Sequence, residues 1–139
     1  MPRRRPDQVR ARLPLRQRTP GRPIPRVAGV SAPTSRAIAT FERTHFHPGA
    51  IARALAAWTR FVHGPIRAIA GNDFDYGLCP CCEYEEPDWN RAILRCALLT
   101  LPTKAARELL MLVRPLDELY LTRSIATHDN AYLREQLVA

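Results

Sequence analysis

The placement of thirteen prolines decides where this 139-residue chain can be regular. Seven of them fall within residues 1–36, at positions 2, 6, 14, 20, 23, 25 and 33. Inside a helix, proline removes a backbone donor and clashes with the preceding turn; inside a sheet it breaks the ladder. The same segment has few large apolar groups, too little surface to offset the entropy of ordering it. Residues 1–36 are therefore expected to form a disordered arm that folding does not need. Residues 37–139 are expected to form one domain of ordinary size, with order beginning near Ile38.

Charge follows the same division. Residues 1–36 carry ten arginines against one acid, Asp7, a net charge of +9. The remaining residues hold eleven Lys/Arg and twelve Asp/Glu, a net charge of −1. The chain's +8 thus predicts a basic appendage on a body without a basic stripe. A single lysine, Lys104, against twenty arginines matches GC-rich coding and suggests a bacterial source. No apolar run approaches the roughly 18 residues of a membrane helix. Arg3-Arg4-Arg5 is followed by Pro6-Asp7 rather than by the apolar stretch of an export signal. The expected location is the cytoplasm, without membrane association, where cysteines serve as thiols or metal ligands rather than as disulfides.

Helical periodicity governs the rest. From His47 to Ala70, Ile51, Leu55, Trp58, Phe61 or Val62, Ile66 and Ile69 recur at three- and four-residue spacing. Pro48 suits the first turn of this helix, and Gly64-Pro65 predicts a kink or two short helices. Residues 71–87 read as an acidic loop rich in turn signals. Asp88 has the chemistry of an N-cap, with Trp89, Ile93, Cys96 and Leu99 or Thr100 along one face of the following helix. Pro102 opens another helix. Pro115 is expected to end it and start the next, with Asp117 and Glu118 complementing that helix's dipole. A last helix spans Asn130 to Val138. With no alternating pattern of any length, the fold class is all-α: a small bundle of four to five helices. Trp58 and Trp89, both on apolar stripes, are expected in the core.

The cysteines carry the sharpest chemical signal. Cys79-Pro80-Cys81-Cys82 contains a C-x-x-C pair, Cys79 and Cys82, whose turn aims two sulfurs at one centre, as tetrahedral zinc requires. Cys96 is a third candidate ligand fourteen residues beyond Cys82. Cys81 or a histidine would complete the set, and His45 and His47, just before the first long helix, are better placed than His63 or His128. The plainer alternative makes Cys96 a small core residue. A thioredoxin-like role is disfavoured, because Glu83-Tyr84-Glu85-Glu86-Pro87 follows the motif and nearby acids raise a thiol pKa. The spacing also matches no ferredoxin cluster pattern.

No phosphate loop, nucleophile elbow, H-E-x-x-H or EF-hand spacing is present, so a non-enzymatic binding protein is expected. Its first candidate partner is nucleic acid. Arginine pairs well with phosphate, and the arm supplies Arg3, Arg4, Arg5, Arg10, Arg12, Arg16 and Arg18. The arm's lack of an aromatic residue for base stacking weighs against this. The alternative is a protein-interaction adaptor or regulatory subunit using the leucine-rich helices of residues 98–121 and the acidic loop.

The zinc reading makes a direct prediction. Freshly purified protein should carry one zinc per chain by elemental analysis, and Cys79→Ser should release it and lower the melting temperature. Metal-free protein whose melting curve is unmoved by chelator would dismiss the site.

Overall fold

The computed structural model describes residues 21, 23–66, 69 and 86–137. These form five helices and no strand: α1 (Ala32–His45), α2 (Ala50–Val62), α3 (Pro87–Thr100), α4 (Thr103–Arg123) and α5 (Ala131–Gln136). Among the described residues no helix is long and apolar enough to cross a membrane. The all-α reading holds. Of the acidic loop, only Glu86 and Pro87 lie within the described residues.

Helix α3 is the hub, packing against each of the other four. Leu101 and Pro102 alone separate it from α4, which folds back so that Asp117 meets Arg91 in the first turns of α3. Both present apolar stripes at helical spacing. Ala105, Leu109 and Val113 of α4 are buried against Leu94, Ala97 and Leu101. From α2 come Ile51, Ala54, Trp58 and Val62, all at most 1 % exposed, and α1 adds Ile38 and Phe41. Ile69, just past the break at Gly64-Pro65, is also buried, whereas Ile66 points outward. The sequence anticipated this interruption; α2 ends at Val62 with His63 as its C-cap. There Arg123, near the end of α4, donates to the carbonyls of Val62 and Gly64, placing a cation at a helix C-terminus.

One charged pair lies inside this core. Arg91 is fully buried on α3 and meets Asp117 of α4 side-on, Nε donating to Oδ1 at 2.9 Å and Nη2 to Oδ2 at 2.7 Å. The indole Nε1 of Trp58 on α2 donates to the same Oδ1 at 3.1 Å. Three helices therefore converge on one carboxylate. Asp117 is mid-helix, not the first-turn acid that the sequence suggested, because Pro115 neither ends nor starts a helix. α4 continues through it from Thr103 to Arg123. Pro115 and Met111, whose carbonyl loses its donor, are both exposed, so that oxygen stands on the solvent side. Val113, Asp117 and Tyr120 are buried on either side of the proline and hold the helix together across it.

The boundary between arm and body also differs from expectation. Helix α1 begins at Ala32, so residues 32–36, assigned to the arm from sequence, belong to the bundle. Ser31 is its N-cap, accepting from the Thr34 amide. Its own N–H and hydroxyl donate to the Glu108 carboxylate of α4 at 2.7 and 2.8 Å. These bonds pull the Glu108 carboxyl below its ordinary value, the backbone bond from Ser31 most of all. A chain beginning at Ser35 loses this cap and tether. It should melt well below a chain beginning at Gly21, and Ser31→Ala in the full chain should cost about 1 kcal/mol. Identical melting curves for the two truncations would restore the longer arm.

The buried pair yields a second test. Asp117→Ala strands the Arg91 charge and should cost about 3–5 kcal/mol in urea unfolding. Arg91→Met combined with Asp117→Leu removes both charges and should recover most of that loss. If the double variant is as unstable as the single one, shape rather than charge pairing holds the junction.

Candidate functional site

The corner between α1 and α2 is built on a buried acid whose two oxygens are taken by backbone amides. Glu42 is 6 % exposed, and its carboxylate accepts from the amides of Gly49 and Ile51 at 2.8 and 2.9 Å. It thereby satisfies orphan donors at the start of α2, whose N-cap, Gly49, has no capping side chain. Pro48, anticipated in the first helical turn, stands before Gly49 and outside the helix. Gly49 has a φ of +83°, and a Cβ there would lie 2.8 Å from Pro25 Cδ. Only glycine permits both that backbone and the close approach of residues 24–26.

Two clefts open on either side of this corner. The first, about 410 Å³, lies between residues 24–27 and α1, with Arg26, Arg36 and Arg43 around it and Pro48 at one end. The second, about 660 Å³, lies between α2 and the start of α3. Alanines 50, 54 and 57 form its floor, His47, Arg53 and Arg60 supply its polar side, and Phe46 and Trp89 its aromatic walls. The clefts meet at His47-Pro48, where Arg53 Nη1 donates to the Pro48 carbonyl at 2.9 Å. All five arginines are exposed. The ion pair between Arg91 and Asp117 is the salt bridge found among the described residues, so none of the five is neutralised by a carboxylate there.

The net charge of the body conceals these arginines. The charge of −1 for residues 37–139 averages over three unlike stretches: +3 for 37–67, −6 for 68–90 and +2 for 91–139. On α1 and α2 the signal was present as Arg36/Arg43 and Arg53/Arg60, two pairs seven residues apart. That spacing is two helical turns and keeps each pair on one face.

Trp89, expected in the core, is 50 % exposed. Helix α3 starts one residue before Asp88, at Pro87, with Glu86 rather than Asp88 as N-cap. Its buried face runs through Arg91 and Leu94, which turns Trp89 outward. Asp88 instead lies inside the first turn, where burial, aided by the Glu86 charge, raises its carboxyl above the ordinary range. Asp88 Oδ1, Arg91 Nη1 and the Tyr120 hydroxyl are buried without a hydrogen-bond partner among the described residues. Burial likewise raises the Tyr120 phenol, opposed by the nearby Ser124 side chain and the Arg134 charge.

Of the candidate metal ligands, Cys79, Cys81 and Cys82 lie outside the described residues, as do Arg3, Arg4, Arg5, Arg10, Arg12, Arg16 and Arg18. Cys96 is a half-buried free thiol packed against the core. His47 is exposed on the second cleft. No group of three or more His, Cys, Asp or Glu side chains comes together among the described residues. The leucine-rich region divides. Leu101 and Leu109 are core, while Leu98, Leu99 and Leu110 line a cleft of about 720 Å³ beside α5. Comparison with protein-family models, curated proteins and solved structures gives no match to this chain.

Proposed function

We propose that this chain is a non-enzymatic nucleic-acid-binding protein whose N-terminal arginines and α1–α2 face act as one basic surface. The observation that carries the reading is continuity. Residues 24–26, where the N-terminal segment joins the body, line the first cleft beside Arg36 and Arg43. Eight further arginines, from Arg3 to Arg22, precede them in the sequence against the single acid Asp7. Arginine presents a planar fork of donors to phosphate, and each phosphate neutralised releases condensed counterions. Glu42 lies on the first cleft with its oxygens bonded to the amides of Gly49 and Ile51, so three arginines there, Arg26, Arg36 and Arg43, face one carboxylate.

The apolar cleft beside α5 supports a second reading, a protein adaptor. Leu99 there is 76 % exposed, more than core packing of the bundle asks for.

Salt titration of binding separates the two. Log K for duplex DNA or RNA should fall linearly with log salt at a slope of about −0.9 per phosphate engaged. Removing residues 1–20 should flatten that slope by several units, and Arg53→Gln with Arg60→Gln by about one to two. If neither change alters the slope, the basic surface is not the nucleic-acid element. A stoichiometric protein that co-purifies through high salt would favour the adaptor.

A further inference from the structure

The α2–α3 cleft combines two features that duplex DNA does not need together: separated cations and an exposed aromatic plane. Arg53 and Arg60 are two turns apart on α2, about 10.5 Å along the helix axis. Arg53 is turned back toward the Pro48 carbonyl, away from Arg60, so the cleft presents two separated cations, as a polyanion with repeated charges would engage. Between and opposite them the alanine floor leaves room for a flat group, and Trp89 forms the wall. Half of the Trp89 surface faces solvent, although an indole buries more apolar area than almost any other side chain when it packs in a core. An indole face stacks on any unpaired base, and cations beside it hold the backbone. In a duplex the bases are already stacked and out of reach.

Resting on the reading above, we propose that this cleft is a subsite for single-stranded nucleic acid, with Trp89 stacking on a base while Arg53 and Arg60 contact flanking phosphates. The aromatic partner that the N-terminal arm lacks is thus supplied by the body.

The chain has two tryptophans, of which Trp58 is fully buried, so quenching by contact reports on Trp89. Oligo-dT added to the full-length protein should quench its fluorescence. Trp89→Ala should weaken oligo-dT binding by about five- to 150-fold, the range for loss of one stacked base. Duplex of the same length should bind Trp89→Ala and the unmodified chain within about twofold of each other. Trp89→Phe, which keeps a stacking face, should retain most of the oligo-dT affinity and guards against a folding artefact. The subsite is overturned if Trp89→Ala binds oligo-dT like the parent, or if single strand and duplex weaken equally. It is also overturned if poly-glutamate displaces oligo-dT as well as unlabelled oligo-dT does, because the cleft would then take acidic protein segments. A chain that binds duplex through its arginines while Trp89 stays silent loses only the subsite. A chain that binds neither polymer loses the broader function as well.

Discussion

The carboxylate of Asp117 is the point on which the bundle's geometry depends. It receives the Arg91 guanidinium and the Trp58 indole within one buried volume, fixing α2, α3 and α4 relative to one another. Apolar stripes alone would let these helices slide or rotate against each other at modest cost, since hydrophobic burial is non-directional. A two-bond fork with a third donor permits only one arrangement. The rings of Trp58 and Tyr120 then meet beside it in a tilted contact, with centroids 5.4 Å apart, and close the core around the charge. Buried pairs of this kind contribute little net stability compared with a well-packed apolar junction. Their directional bonds are satisfied in this register, the one in which Arg91 faces the core and Trp89 faces outward.

That choice creates the aromatic wall of the α2–α3 cleft. Arg91 occupies the core-facing position of the first turns of α3, which turns its near neighbour Trp89 toward α2 and solvent. The basic rim opposite arises from a separate economy of charge. Glu42, the one described acid on α1 and α2, is held by the amides of Gly49 and Ile51, leaving five arginines with no carboxylate among the described residues. Structural demands at two helix ends thus leave a face that is both cationic and aromatic.

The helical class, the break at Gly64-Pro65, the opening of a helix after Pro102 and the terminal helix were all legible in the sequence. Each rests on local chemistry: proline, glycine or a run of three- and four-residue spacing. What misled was charge in unexpected places. The apolar stripe drawn through Trp89, Ile93 and Cys96 sends Trp89 inward, because nothing local marks Arg91 as a core residue. Reading Asp117 as a first-turn acid makes Pro115 a boundary, when the buried residues on either side of that proline keep α4 whole. Ser31 was absorbed into the arm because its partner, Glu108, is 77 positions away, beyond any local signal. The arginines around the two clefts were hidden by summing charge over the whole body instead of following it along α1 and α2. The zinc reading rests on Cys79, Cys81 and Cys82, and the structure adds only that Cys96 packs against the core.

The seat of Pro25 against Gly49 has a consequence for how charge is delivered. It anchors the root of the arginine-rich segment at the junction of the two clefts. Arg18 lies eight positions before Arg26. A fully extended peptide advances at most about 3.6 Å per residue, so the backbone at Arg18 stays within about 29 Å of Arg26 in any conformation. On the proposed nucleic-acid reading, a polyanion held by one element would meet the other at an effective concentration of order millimolar. Release would then require both contacts to open at once.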